Sequence, residues 1–422
     1  MGLPTANPLA NITYEDLYSR WERGNWRSTE LDFTRDREQW EHDFSDFERR
    51  AALWNYALFF WGEDAVADGL SPYIDAAPLE EQKYFLATQQ VDEARHAVFF
   101  RRFMEEVAGI GGSMNDALEA IRPQLTWGFV QVFDRLERMS EELRQDRSIP
   151  KLAQAIALYH VIIEATLAQP GQHFITSYLD QRDILPAFRE GMHNVAADEQ
   201  RHIGFGVKML SDLNEMDDEV PAAVADLLRE VIPWTAAVLV PPGWDMRYVE
   251  CFGFTLEEIG YEGVTSFETK MRMAGLPLSE LPGPPVFVPG IPPEERVRLG
   301  QTLVRNRVFG EKLGPPLSDH ETMSALFRFV SQGLDISKAP GPGVLQWDFS
   351  DAEPWYVTVD NGATAAAPGR AESPTVTFRS RYEDFVDIIA GRVDPKRMLL
   401  RGRYRARGNL RWLWRAREMF PA

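Results

Sequence analysis

Glu63, Glu93, His96, Glu164, Glu199 and His202 have the residue types and the spacing for metal-based redox chemistry. Two copies of Glu-x-x-His occur, Asp92-Glu93-Ala94-Arg95-His96 and Asp198-Glu199-Gln200-Arg201-His202, each preceded by a lone glutamate thirty-odd residues upstream. At i and i+3 on a helix, a carboxylate and an imidazole project from one face toward one point. Four carboxylates with two imidazoles are the ligand set of carboxylate-bridged dinuclear iron or manganese sites inside four-helix bundles. Carboxylates are hard donors that bridge two cations, and one imidazole per metal leaves positions open for oxygen and substrate.

One Glu-x-x-His alone would read as a surface pair. Here Glu63 follows Phe59-Phe60-Trp61 and Glu164 follows Val161-Ile162-Ile163. An ionised carboxylate in such surroundings costs several kcal/mol unless it is paired or metal-bound. Asp92 and Asp198 directly precede the ligand glutamates. They fit either as acceptors for the imidazole N–H of the opposite half, Asp198 to His96 and Asp92 to His202, or as solvated helix charges. Arg95 and Arg201 are candidate ion-pair partners for these aspartates. His160, four residues before Glu164, is either a support for the site or a satisfied core histidine.

The elements that must carry these groups are helical. Apolar residues recur at three- and four-residue intervals over 45–70, 79–108, 115–145, 150–180 and 186–213. Glu63 and Glu93 are close enough in sequence for one helical hairpin, and so are Glu164 and Glu199. The long interval from Glu93 to Glu164 leaves room for a crossing helix at 115–145. Seven prolines fall between Pro277 and Pro293, which predicts an extended, semi-rigid linker. Beyond it the pattern predicts strands at Val344–Phe349, Trp355–Val359 and Thr375–Phe378, with a hairpin signal at Asn361-Gly362. Helical patterns at 294–310, 321–333, 381–390 and 410–420 flank them.

Composition separates the two regions. Residues 1–289 carry a net charge of −23 and residues 290–422 a net of +4. An acidic first part argues against nucleic acid as its partner. A single cysteine, Cys251, excludes an internal disulfide and suits a reducing compartment. No basic-then-apolar leader and no apolar run of membrane-spanning length is expected, so the chain reads as cytoplasmic. Between Arg392 and Arg417 lie ten basic residues and one acidic one, Asp394, with Arg401, Arg403, Arg405 and Arg407 alternating as on one strand face. That segment fits a solvated face or a contact with the acidic region, an anionic membrane surface or lipid carboxylate, or nucleic acid.

The residues Gly62-Glu63-Asp64-Ala65-Val66, both Asp-Glu-x-Arg-His motifs, Tyr159 to Ala168 and Asp198 to Gly206 resemble the ligand-binding oxidases related to the ribonucleotide reductase small subunit. Arg23-Gly24-Asn25-Trp26 and Leu31-Asp32-Phe33 resemble that family's leader. The resemblance spans about residues 15–275. It implies a manganese/iron or di-iron centre, dioxygen as oxidant, an external electron donor and a bound fatty acid. It further implies an ether cross-link between Val66 and Tyr159 as the reactive pair. The radical-bearing tyrosine of true reductase subunits would fall at Phe100, so a radical generator is not expected. Where family members often carry a tyrosine, eight residues after Glu164, this chain has Gln172.

Residues from about 295 to 420 resemble sterol carrier protein 2-like domains, through Leu345 to Phe349, Trp355 to Gly362, Pro374 to Phe378, Tyr382 to Phe385 and Arg401 to Asn409. Such domains bind lipids in an apolar tunnel. The expectation is therefore an all-α ferritin-like helical bundle, 1–276, a Pro-rich linker, 277–293, and a smaller α+β sterol-carrier-like domain, 294–422. The expected reaction is two-electron C–H oxidation of a fatty-acyl or lipid-like molecule. The alternatives are N-oxygenation of an amine, or a lipid-binding protein whose metal site only oxidises itself. A homodimer is compatible with the chain.

Overall fold

Helix boundaries follow side chains that can satisfy backbone groups. The computed structural model describes residues 12–286, 291–360 and 362–420. It divides into two compact units, one of 1–227 with 238–277 and one of 228–237 with 278–422.

The first unit is helical. After α1 (Tyr14–Arg23) and α2 (Thr34–His42), Ser45 opens α3 (Asp46–Gly69) with a capping box. Glu48 N–H donates to Ser45 Oγ at 3.2 Å and Ser45 N–H donates to the Glu48 carboxylate at 2.8 Å. A short α4 (Ser71–Ala76) turns the chain into α5 (Glu80–Glu106), which packs back along α3.

The crossing helix expected over 115–145 is two helices, α6 (Met114–Ile121) and α7 (Trp127–Gln145). Pro123 sits in a 3₁₀ turn between them, where its ring blocks a continuous α-helix, and Thr126 caps α7. Helix α1 lies in the leader, before the region where helices were expected.

The second ligand hairpin begins with α8 (Ile149–Ile156), runs without a break into a π-helix (Ala157–Ala168) and continues as α9 (Gln169–Arg182). The Gln169 backbone N–H donates to Glu164 O, five residues back, as a π turn requires, and the Thr166 hydroxyl donates to Val161 O at 2.7 Å. The whole run Ile149–Arg182 is apolar and long enough to cross a membrane, contrary to the expectation from sequence, yet 72% of its most apolar window is buried. It is the central helix of a packed bundle.

Helix α10 (Pro186–Met216) returns along the π segment. Its entry is strained, with Asp183 and Leu185 at φ of 50° and 48°. Three remote acceptors hold it. Gln39 Oε1 accepts from Leu185 N at 2.7 Å, and the Asp36 carboxylate accepts from Ala187 N and Phe188 N at 3.1 and 2.8 Å. Among the helices that follow are α11 (Val220–Thr235), whose residues from 228 on count with the second unit, α12 (Arg247–Glu250) and α13 (Leu256–Met273). Phe33, Trp40, Tyr56, Phe60, Phe99, Phe103 and Phe188 form an aromatic core beside the ligand helices.

In the second unit, residues 278–286 contain turns and bends and no helix, and helix α14 (Pro293–Arg305) begins on the last proline of the expected linker. It is followed by α15 (His320–Gln332), strands β1 (Gly343–Phe349), β2 (Trp355–Asp360), β3 (Ala363–Pro368) and β4 (Val376–Ser380), helices α16 (Tyr382–Ile389) and α17 (Pro395–Leu400), strand β5 (Arg405–Gly408) and helix α18 (Leu410–Met419). The sheet order is β3-β2-β1-β4-β5, with β1 and β4 parallel and every other pair antiparallel.

Strand β3 was not expected from sequence. It pairs with β2 across a hairpin whose Gly362 has φ +79°, while Asn361 lies outside the described residues. The four alternating arginines do not share one strand face, because β5 begins only at Arg405 and Arg401 caps α17. Phe327 stacks on Trp355 and Phe385 at 5.1 and 5.4 Å, and Trp347 packs against Phe385 and Phe378. These rings fill the space between sheet and helices.

Candidate metal centre

Four helical segments each bring one part of the site. Helix α3 carries Glu63, α5 carries Glu93 and His96, the π segment carries Glu164, and α10 carries Glu199 and His202. All six are buried. They form two overlapping groups, Glu63, Glu93, His96 and Glu199, and Glu93, Glu164, Glu199 and His202. Within each group the donor atoms lie within 4.8 Å of one another, and Glu93 and Glu199 belong to both.

Each imidazole turns one nitrogen inward and one outward. His96 Nδ1 lies 3.1 Å from Glu63, 3.4 Å from Glu93 and 3.6 Å from Glu199. His202 Nδ1 lies 3.2 Å from Glu93 and 3.7 Å from both Glu164 and Glu199. On the outer side, His96 Nε2 is 3.1 Å from Asp198 and His202 Nε2 is 3.1 Å from Asp92. The aspartate of each motif thus meets the histidine of the other.

Around the aspartates runs a ring of opposite charges. Arg95 bonds Asp92 and lies 3.2 Å from Asp198, while Arg201 lies 2.6 Å from Asp198 and 3.1 Å from Asp92. Two indoles complete it. Trp21 Nε1 donates to Asp92 and Trp26 Nε1 to Asp198, both at 2.8 Å. Neither tryptophan was singled out from sequence as part of the site, although Trp26 belongs to the leader pattern. Desolvation alone would raise the Asp198 carboxyl, but the bond and charge of His96, then Arg201 and the Trp26 indole, hold it below the usual carboxylate range.

The inner acids behave differently. Burial pushes Glu63, Glu164 and Glu199 up, and neighbouring carboxylates add to it. Burial also acts on Glu93, where the two imidazoles overcome it and hold the carboxyl low. Glu164 Oε2, Glu199 Oε2 and His202 Nδ1 are buried without a hydrogen-bond partner. Unsatisfied carboxylate and imidazole atoms facing one another are the donor set that a pair of divalent cations fits.

Gln89 is a functional neighbour that sequence reasoning missed. Its amide donates to Tyr159 Oη at 3.0 Å and to Glu164 Oε1 at 2.8 Å, and its oxygen lies 3.1 Å from His160 Nε2. Tyr159 in turn donates to Glu93 Oε1 at 2.7 Å. The one available signal was position, since Gln89 lies four residues before Glu93 on the ligand face. Burial, with the charge of His202 adding, lowers the His160 imidazole to about 3, so His160 is a neutral core residue. Gly206 permits this packing, because a Cβ there would lie 2.1 Å from His160 Cβ.

A pocket of about 620 Å³ opens from the acids. Val66 and Tyr159 line it together with Glu63, Glu93, Glu164 and Glu199, and Leu58, Phe59, Phe129, Phe133, Ile163 and Leu167 make its walls apolar. A second apolar pocket shares Asn55, Gly171 and Leu239 with it. Gln172 is buried with Nε2 unpartnered and lines neither pocket. Phe100 is buried and stacks on Phe59 at 5.9 Å.

Comparison with known proteins follows the same division. The family model described as ribonucleotide reductase, small chain, matches residues 5–238, and the SCP-2 sterol transfer family matches residues 336–420. Among solved structures, the R2-like ligand-binding oxidase from Sulfolobus acidocaldarius is 22% identical, with a TM-score of 0.53 over 68% of this chain and 94% of its own. A substituted R2-like ligand-binding oxidase with an aerobically reconstituted Mn/Fe cofactor is 20% identical, with a TM-score of 0.56 over 64% and 97%. Another, with an Fe/Fe cofactor, is 20% identical, with a TM-score of 0.56 over 62% and 93%. At these identities the likeness is one of fold.

Proposed function

The chain belongs to the ribonucleotide reductase small-chain family, and from that premise we propose that it is an oxygen-activating dinuclear metal oxidase acting on a fatty-acyl or similar apolar substrate. The observation that carries this is the pair of donor groups sharing Glu93 and Glu199 at the end of an apolar pocket. Glu63 and His96 would serve one ion, Glu164 and His202 the other, with Glu93 and Glu199 between them. A manganese/iron or di-iron pair held there supplies two-electron oxidation with dioxygen.

The chain's own residues do the rest. Asp92 and Asp198 fix the outer nitrogen of each imidazole, which keeps Nδ1 turned inward. The apolar side chains that line the pocket suit an alkyl chain, with the acids as its few polar groups. Burial and the surrounding carboxylates raise the Tyr159 phenol well above its ordinary value, so it keeps its proton and donates a hydrogen bond to Glu93.

The same environment supports the cross-link. An ether bond between Tyr159 Oη and a Val66 side-chain carbon forms as the O–H and one C–H break. The two protons and two electrons pass to dioxygen. Phe100 offers no oxidisable phenol at the radical position, which favours an oxidase over a radical generator. The SCP-2 match supports lipid binding by the second unit, and a covalently attached carrier raises the local concentration of an acyl substrate.

The deciding experiment offers fatty-acyl substrates and amines in parallel to metal-loaded full-length protein with reductant and oxygen. Oxidised lipid is the expected product. Turnover of amines with indifference to lipids transfers the assignment to N-oxygenation. Co-purified lipid with no turnover of either leaves a lipid-binding protein with a self-oxidising site.

A further inference from the structure

Helix α18 is apolar on two faces. Trp412, Ala416 and Met419 form the buried one. On the outside, Leu410 and Trp414, one turn apart, are 82% and 76% exposed. Just upstream, α17 ends in Leu400, which is 89% exposed. Large apolar side chains exposed to this degree are unusual when they occur together.

Basic residues crowd the same stretch of the chain. Arg392, Arg403 and Arg415 pair with Asp387, Asp384 and Glu418. Lys396, Arg397, Arg401, Arg405, Arg407 and Arg411 have no ion-pair partner among the described residues. Arg405 and Arg407 are exposed on β5, which runs directly into the Asn409 cap of α18. Arg415 lies over the Trp414 ring, with its guanidinium carbon 5.9 Å from the ring centroid.

An exposed Trp and Leu pair flanked by unpaired arginines is the composition of a helix that lies in a membrane interface. A nucleic-acid surface would need the cations but gives no role to Leu400, Leu410 and Trp414. We propose that the outer face of α18, with Leu410 and Trp414 as apolar anchors and Arg405, Arg407 and Arg411 as headgroup contacts, docks the second unit on an anionic lipid bilayer. This rests on the surface of that unit and not on the metal site.

The test is co-sedimentation of full-length protein with phosphatidylcholine vesicles, with and without about one-third phosphatidylserine. Binding is expected only to the anionic vesicles, and it should fall as salt is added. Arg405→Gln with Arg407→Gln should weaken partitioning about thirtyfold. Leu410→Ser with Trp414→Ser should abolish it. All four positions are exposed, so an unchanged melting temperature is expected and separates lost binding from lost fold. Three results would each overturn the proposal. They are equal binding to uncharged vesicles, undiminished binding by either double variant, and retention on heparin without vesicle binding.

Discussion

The Asp198 carboxylate lies 3.1 Å from Nε2 of His96, a residue 102 positions away in sequence. The other nitrogen of that ring, Nδ1, faces Glu63 and Glu93. Asp198→Ala would leave that ring without its outer acceptor and the Trp26 indole without a partner. Loss of such a contact costs roughly 10–100-fold in metal affinity. Competition with a chelator of known strength measures this, and unchanged affinity would refute the orienting role.

Purified protein should retain close to two metal ions per chain. Glu93 faces both imidazoles, so Glu93→Ala with His96→Ala removes an atom from each donor group. Elemental analysis should show at least one ion lost while circular dichroism still reports a helical protein. Full retention in that double variant would mean that the ligands lie elsewhere.

Reconstitution with both metals and oxygen should leave the protein two hydrogens lighter, with the change confined to peptides carrying Val66 and Tyr159. Tyr159→Phe should keep its metals and lose the mass change. Wild type exposed to oxygen without a linked peptide would refute the self-processing step.

Gly206→Ala should be destabilising. The added methyl meets the His160 side chain where α10 crosses the π segment, and overpacking of this kind costs about 1–3 kcal/mol. Displacing His160 also disturbs Gln89, so weaker metal retention should accompany a lower melting temperature. An unaffected variant would show that the helices can part without cost.

Burial, with the Glu48 carboxylate nearby, pushes the Cys251 thiol up to about 11. The thiolate is the reactive species and is scarce at neutral pH. Iodoacetamide should label the native protein slowly and the urea-unfolded protein quickly, with the native rate climbing toward pH 11. Rapid labelling of native protein at neutral pH would contradict this environment.

The six inner groups were legible in sequence because i, i+3 spacing and apolar neighbours both point at them. Asp92 and Asp198 were legible as immediate neighbours of the ligand glutamates. Trp21 and Trp26 were not, since their partners lie 71 and 172 positions away and nothing local marks an indole as a donor. The π-helix was hidden because twelve mostly apolar residues show no contrast from which to read a period. Strand β3 is rich in alanine, a weak strand former, and exists through its pairing with β2. The break between α6 and α7 could have been placed from Pro123, had its cost within a helix been given more weight than the apolar pattern.

The wide turn between Tyr159 and Glu164 also affects how this chain should be lined up with others. A π-helix is geometrically an ordinary helix that has accepted an extra residue. Ungapped matching to a relative whose corresponding helix is α throughout can place either Tyr159 or Glu164 correctly, but not both. A comparison that forbids a one-residue gap within 157–168 would then set either Glu164 or Tyr159 out of register with such a relative.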